Sequence, residues 1–274
     1  MPLGMTLFLK SSRQAHPPPC DGEWTGRLVA EMASRAGLPE EALKRRPAPF
    51  TLSTPLPAEG RRAAGEASPD RQGRFRLRFS WLADEDLEGL LHWAGSLRSD
   101  PLQVETRYGR MLLEDAMASP ALTQRWNRCV PYDLLYEEAS DCLRVITMKF
   151  YSPTTLERSG RHFPLPDPGL IFHGYATLWD AFSGPALAPG LRQAIEEHLL
   201  LADFRIQKRN QEAERESVPG FVGSATFRLT GRHPESVLKG LNVLADYAFF
   251  CGTGIGTEHG MGLTRRIPES GEGP

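Results

Sequence analysis

The sequence holds 274 residues, 40% of them hydrophobic and 24% charged, with 32 Lys+Arg against 34 Asp+Glu. That balance excludes wholesale disorder, and no apolar run nears the ~18 residues of a membrane span. The length suits one large domain or two modest ones. Residues 6–9 form a short apolar run that reads as a buried strand. After His16 and three prolines, Trp24, Leu28 and Met32 recur every four residues, with Val29 and Ala36 beside them. This is an amphipathic helix that Gly37 would stop. Residues 49–53 read as a second strand, and residues 57–73 as a polar connection. The clearest alternation follows: Phe75, Leu77, Phe79 and Trp81 share one face of a strand, Arg74, Arg76 and Arg78 the other. Asp84 can cap a helix whose buried stripe is Leu87, Leu90, Leu91, Ala94 and Leu97. Residues 102–113 can supply a closing strand or hairpin.

The second half repeats the order with different residues. Residues 143–151 are strand-like, and a stretch rich in proline follows. Residues 169–182 and 189–200 read as helical. Ala202, Phe204 and Ile206 then alternate with Asp203, Arg205 and Gln207 in a strand ending at Lys208 and Arg209. Residues 210–217 form a polar, acidic hairpin tip and residues 220–229 the returning strand. A helix over residues 235–249 leads to a glycine-rich loop and a short strand at residues 263–267. Two successive β-α-β-β-α-β passes predict an α+β chain of two tandem ferredoxin-like (RRM-like) domains, residues 1–118 and 119–274. In that fold both helices cover one sheet face. An open face with Arg at alternate positions is a usual meeting surface for RNA, although by itself such a strand is more often an ordinary solvated face.

Charge leaves the partner open. The formal net charge is -2, yet 27 of the basic residues are Arg and only 5 Lys. Arg carries the planar fork that matches phosphate, although a GC-rich coding sequence gives the same bias. Cys20, Cys129, Cys142 and Cys251 contain no C-x-x-C pair, which argues against a zinc site or a disulfide framework. The first residues carry no secretory signature, so a cytoplasmic location is expected.

The sharpest motif runs from Cys251 to Gly262. It is no dinucleotide fingerprint, because after Gly252 and Gly254 the third glycine would fall at Thr257, and it follows a helix instead of a strand. It does fit G-h-G-x5-G-h-G, read as Gly252-Thr253-Gly254 and Gly260-Met261-Gly262. This resembles the signature loop of the CRISPR-associated repeat-processing endoribonucleases, within the RAMP superfamily. Met148-Lys149-Phe150-Tyr151-Ser152-Pro153-Thr154 and Pro164-Leu165-Pro166-Asp167-Pro168 are similar to two further stretches of that family. Gly220-Phe221-Val222-Gly223, Leu244-Ala245-Asp246-Tyr247-Ala248 and Pro49-Phe50-Thr51-Leu52-Ser53 also fit.

The resemblance implies metal-independent cleavage of CRISPR repeat RNA (pre-crRNA) without a cofactor. In that chemistry the 2′-hydroxyl attacks the phosphorus, leaving a 2′,3′-cyclic phosphate and a 5′-hydroxyl. It needs a base, an acid and cations around the developing charge. Family members commonly place a His on or just after the first helix. Between Trp24 and Phe50 this sequence has no His or Tyr, only Arg27, Arg35, Lys44, Arg45 and Arg46. Either His16 is the base, or the Arg/Lys set stabilises the transition state in slow single-turnover cleavage; His259 inside the glycine loop is a third candidate. Histidine-poor members such as those of type IV systems are similar in this respect. For binding, the resemblance implies Gly252, Gly254, His259, Gly260 and Gly262 of the loop, with Arg265 and Arg266 just after it. Arg205, Lys208 and Arg209 lie at the base of the hairpin expected to meet the repeat's stem-loop, and Arg74, Arg76 and Arg78 offer a further surface. The expected partner is crRNA, with other Cas proteins of an effector complex as further partners and no membrane. A non-catalytic scaffold subunit that holds the repeat is the alternative.

Overall fold

The structure is a computed structural model, described here over residues 1–11, 22–56, 74–85, 87–106, 109–118, 126–212 and 217–267. The chain forms two compact units, one built on Met1–Cys129 and the other on the chain from Val130 onward. Each is a ferredoxin-like α+β fold. In the first unit the order is β1 (Leu3–Ser11), α1 (Gly22–Arg35), α2 (Glu40–Lys44), β2 (Phe50–Leu52), β3 (Arg74–Trp81), α3 (Leu87–Ser96), β4 (Leu102–Thr106), β5 (Gly109–Met117) and β6 (Arg128–Cys129). The sheet runs β2-β3-β1-β5-β4, with β6 paired to β1. Antiparallel pairing sets Leu3, Met5, Leu7 and Leu9 opposite Trp81, Phe79, Leu77 and Phe75. All eight side chains are buried, so one face of β1 and β3 is apolar throughout. Trp24, Leu28, Val29 and Met32 of α1 are buried as the four-residue spacing predicts.

The second unit runs α4 (Tyr132–Glu137), β7 (Val145–Thr154), β8 (Leu156–Arg158), β9 (Arg161–Phe163), α5 (Pro168–Phe182), α6 (Leu191–His198), β10 (Leu199–Lys208), β11 (Gln211–Glu212), β12 (Ser217–Val218), β13 (Phe221–Leu229), α7 (Glu235–Cys251) and β14 (Thr264–Ile267). Its sheet order is β10-β13-β7-β14, antiparallel at every pairing. The proline-rich stretch after β7 contains a tight hairpin, β8–β9. It then enters α5 through Asp167, whose carboxylate accepts the Leu170 amide at 2.9 Å ahead of Pro168 in the first turn. Ile146, Met148 and Phe150 of β7 and Ala225 and Phe227 of β13 face the helices. Phe172 of α5 meets Phe227 edge-on, with ring centroids 5.4 Å apart. No helix among the described residues is long and apolar enough to cross a membrane.

Because Phe227 and Phe172 are both 0% exposed, Phe227→Ala should cost about 3–5 kcal/mol of stability. Chemical denaturation of the full chain measures this.

Candidate functional site

The glycine loop is clasped to the end of β7. The Ile255 amide donates to the Thr155 carbonyl at 3.0 Å and the Gly262 amide to the Pro153 carbonyl at 2.9 Å, while Thr253 donates to the Gly262 carbonyl at 2.8 Å. Two glycines are demanded by this packing. Gly254 has φ +81 and a Cβ there would lie 2.0 Å from the Thr155 oxygen; Gly262 has φ +70 and its Cβ would lie 2.1 Å from the Thr253 oxygen. The protein's own backbone, before any ligand, therefore requires glycine at both positions. Gly252 and Gly260 are buried within the loop, Gly254 is exposed, and His259 is exposed at the end of a single 3-10 turn.

A buried line of hydroxyls anchors the loop from behind. Thr264 Oγ1 donates to the Gly262 carbonyl at 2.8 Å, and Thr253 Oγ1 donates to Thr264 Oγ1 at 2.6 Å. Each hydroxyl carries one proton, so the 2.5 Å contact between Tyr175 and Thr253 has the phenol as donor. Burial pushes the Tyr175 phenol far above its ordinary range. Tyr175 is thus a fixed donor from α5 to the loop.

The two arginines after the loop separate. In β14, Arg266 lies opposite Met148, on the helix side of the sheet, and Arg265 lies opposite Lys149 on the other side. Arg266 reaches α7, where Nη2 donates to Asn242 Oδ1 at 2.7 Å and Nη1 lies 3.3 Å from both Asp246 carboxylate oxygens. Arg265 is half-exposed, and Arg205 of β10 and Lys149 of β7 are exposed. Lys149 Nζ sits 5.0 Å from the centre of the Tyr151 ring. Lys208 and Arg209 are exposed at the base of the hairpin, and the Arg209 amide donates to the Gly220 carbonyl at 2.8 Å. Residues 213–216 of the acidic tip lie outside the described residues.

In the first unit the alternation places Arg74, Arg76 and Arg78 on one face, opposite Lys10, Phe8 and Thr6. That face is not open along its length. Arg78 is only 2% exposed and its Nε donates to the Trp126 carbonyl at 3.2 Å, while Thr6 Oγ1 donates to Asn127 Oδ1 at 2.6 Å. The segment before β6 covers this end of the sheet, which corrects the expectation of three solvent-facing arginines. Arg74 and Arg76 are half-exposed, with the Arg74 guanidinium 4.8 Å from the Phe8 ring centre.

The basic residues of the first helical region do not converge on one point. Arg27 pairs with Glu23 at 2.7 Å, Arg35 with Asp100 at 2.9 Å, Lys44 with Glu40 at 2.8 Å and Arg45 with Glu85 at 2.5 Å. Arg46 donates to the Arg45 carbonyl at 3.0 Å. These are solvated surface pairs, which contribute little to stability. His16 and Cys20 lie outside the described residues. Among the described residues no three His, Cys, Asp or Glu side chains are grouped to hold a metal ion. Lys149 and Tyr151 are the residues that sequence reading passed over. Their alternation within β7 was visible, but their neighbours on β14 and β13 come from the register alone.

Arg266→Ala strips Asn242 and Asp246 of a partner and should cost about 1–3 kcal/mol, whereas Arg265→Ala should cost far less. Thermal melts of the two single variants distinguish the roles.

Residues 148–264 match the family model of the CRISPR-associated endoribonuclease Cas6. A curated CRISPR-associated endoribonuclease Cas6 of Mycobacterium tuberculosis (strain CDC 1551 / Oshkosh) is 32% identical over 126 residues, 46% of this chain and 40% of the relative. The match thus spans less than half the length of that relative. Among solved structures, a Cas6 product complex is 27% identical with a TM-score of 0.79, covering 97% of this chain and 100% of the other. Thermus thermophilus Cas6 is 26% identical with a TM-score of 0.72, covering 97% of this chain and 98% of the other. The loop-bearing half of this chain is thus similar in sequence to the Cas6 family, and nearly its whole length is similar in fold to solved Cas6 structures.

Proposed function

We propose that this protein is an endoribonuclease that binds transcripts of CRISPR repeats and cuts them without a metal ion. The observation that carries the reading is the glycine loop, held at the end of β7 by backbone bonds to Pro153 and Thr155, with exposed or half-exposed cations on the strands around it. Its likeness along nearly its whole length to a Cas6 product complex supports the same reading.

The chemistry follows from the ribose. The 2′-oxygen forms a bond to phosphorus while the bond from phosphorus to the 5′-oxygen of the next nucleotide breaks. A base takes the 2′-proton, and a general acid or a solvent water gives a proton to the departing 5′-oxygen. The products are a 2′,3′-cyclic phosphate and a 5′-hydroxyl. We assign the base to His16, since a guanidinium stays protonated at neutral pH and cannot serve. Because Arg27, Arg35, Lys44, Arg45 and Arg46 do not converge on one point, they meet different phosphates of the transcript, each exchanging a carboxylate or carbonyl partner for phosphate, and the member nearest the scissile bond supplies positive charge for the phosphorane. Arg205, Lys208, Arg209 and Arg265, with Arg74 and Arg76, bind the RNA, as do the exposed parts of the loop at Gly254 and His259. Arg78 and Arg266 are given to the fold instead. Retention of the cut stem-loop suits an enzyme of one turnover.

Incubating the full chain with its repeat transcript in EDTA should yield two fragments with those ends. Replacing the attacking ribose by deoxyribose should abolish cutting and leave binding intact, and His16→Ala should slow cutting by about 10²-fold or more. Cutting that persists on the deoxy substrate would overturn the mechanism.

A further inference from the structure

The strand β10 is the outermost of its sheet, and from Ala202 to Asn210 every residue is exposed except Ile206, which is half-buried. Its main chain has a fixed polarity. The Arg209 amide donates to the Gly220 carbonyl at the start of β13, and backbone groups alternate sides along a strand. Phe204, Ile206 and Lys208 therefore aim their amides and carbonyls outward, where the Asp203 carboxylate accepts the Phe204 amide at 2.8 Å. A register shift between Leu201 and Asp203 ends this regular edge on its other side. The side chains divide in the same way. Phe204, Ile206 and Lys208 stand opposite Ala225, Gly223 and Phe221 on the helix side, and Asp203, Arg205 and Gln207 opposite Thr226, Ser224 and Val222 on the open side. By alternation Arg209 is on the open side too.

This stretch is complementary to itself. A two-fold axis pairs two copies of one strand antiparallel, and outward backbone groups must meet outward ones. With the axis at Arg205, that residue would face its own copy; with the axis at Gln207, Arg205 would face Arg209. An axis at Lys208 would oppose two lysines, and like charges directly opposite destabilise a sheet. An axis at Phe204 would pair Ile206 with Ala202, inside the register shift. The axis at Ile206 escapes all of these. It sets Asp203 opposite Arg209, Phe204 opposite Lys208, Arg205 opposite Gln207, and Ile206 opposite its own copy. Both ends then carry an ion pair, and three outward pairs exchange about six backbone hydrogen bonds.

We propose that this edge is a dimer interface, at which a second copy of this chain pairs residues 203–209 about Ile206 and joins two four-stranded sheets into one continuous sheet. Asp203 makes the interface selective. In the single chain its carboxylate holds the Phe204 amide. On pairing, that amide passes to the Lys208 carbonyl of the second copy, and the carboxylate passes to the second copy's Arg209. A strand with no cation at that place leaves the carboxylate where it is and the amide blocked.

The test is sedimentation of the full chain, freed of nucleic acid, from about 1 to 100 µM, where mass action should carry it from monomer to dimer. Asp203→Arg and Arg209→Asp should each raise the dissociation constant by about 10-fold or more, and the two together should restore it. Mild oxidation then reads the register. Ile206→Cys should give a disulfide-linked dimer, because opposed Cα atoms of a hydrogen-bonded pair are about 5.5 Å apart. Phe204→Cys puts its two copies about 14 Å apart and should give no more than the parent's background. The cysteine variants decide the outcome should a charge variant fail to fold. A parent that is monomeric throughout overturns the proposal and leaves the edge to a different chain. A dimer that Phe204→Cys links and Ile206→Cys does not, or that ignores the charge reversals, overturns it as well.

Discussion

The architecture of the site depends on a backbone clasp, in which Ile255 and Gly262 donate to the carbonyls of Thr155 and Pro153. The loop leaves a helix whose residues 241, 243, 244, 245, 247, 248, 250 and 251 are fully buried. It enters a strand that pairs with β7. Closing this path in so few residues brings main chain against main chain, and only a residue without a Cβ allows it at Gly254 and Gly262. The glycine signature is thus explained by the protein's internal contacts. A ligand at the loop would meet a shape that already exists, which limits the ordering cost of binding.

Behind the clasp, the hydroxyls of Tyr175, Thr253 and Thr264 run in one direction and end on the Gly262 carbonyl. The line satisfies polar groups that burial would otherwise penalise. It also joins α5, the loop and β14, three elements distant in sequence. The sheet is the second organising element. Its register puts Arg266 under α7 and Arg265 on the opposite face, so adjacent residues of one dipeptide serve fold and surface respectively.

Much of this was legible in the sequence. The period-two pattern of residues 74–81 coincides with β3, and the glycine spacing located the loop. Periodicity identifies a face, however, and not what covers it. Arg78 alternates with Arg74 and Arg76 yet is buried, because the covering segment at Trp126 and Asn127 lies far along the chain. The β8–β9 hairpin escaped notice because its strands are only three residues each, within a run of prolines and polar residues. Likewise, Lys149 and Arg265 look unrelated in the sequence, and only strand pairing makes them neighbours.

Asp203 has one further consequence. The strand that carries it is the outermost of its sheet, ten residues long, with Phe204 55% exposed. Such a margin is an invitation to self-association through stray strand addition. By folding its carboxylate back onto the Phe204 amide, Asp203 occupies a main-chain donor that an incoming segment would need. One main-chain donor of that border is thereby already satisfied within the chain.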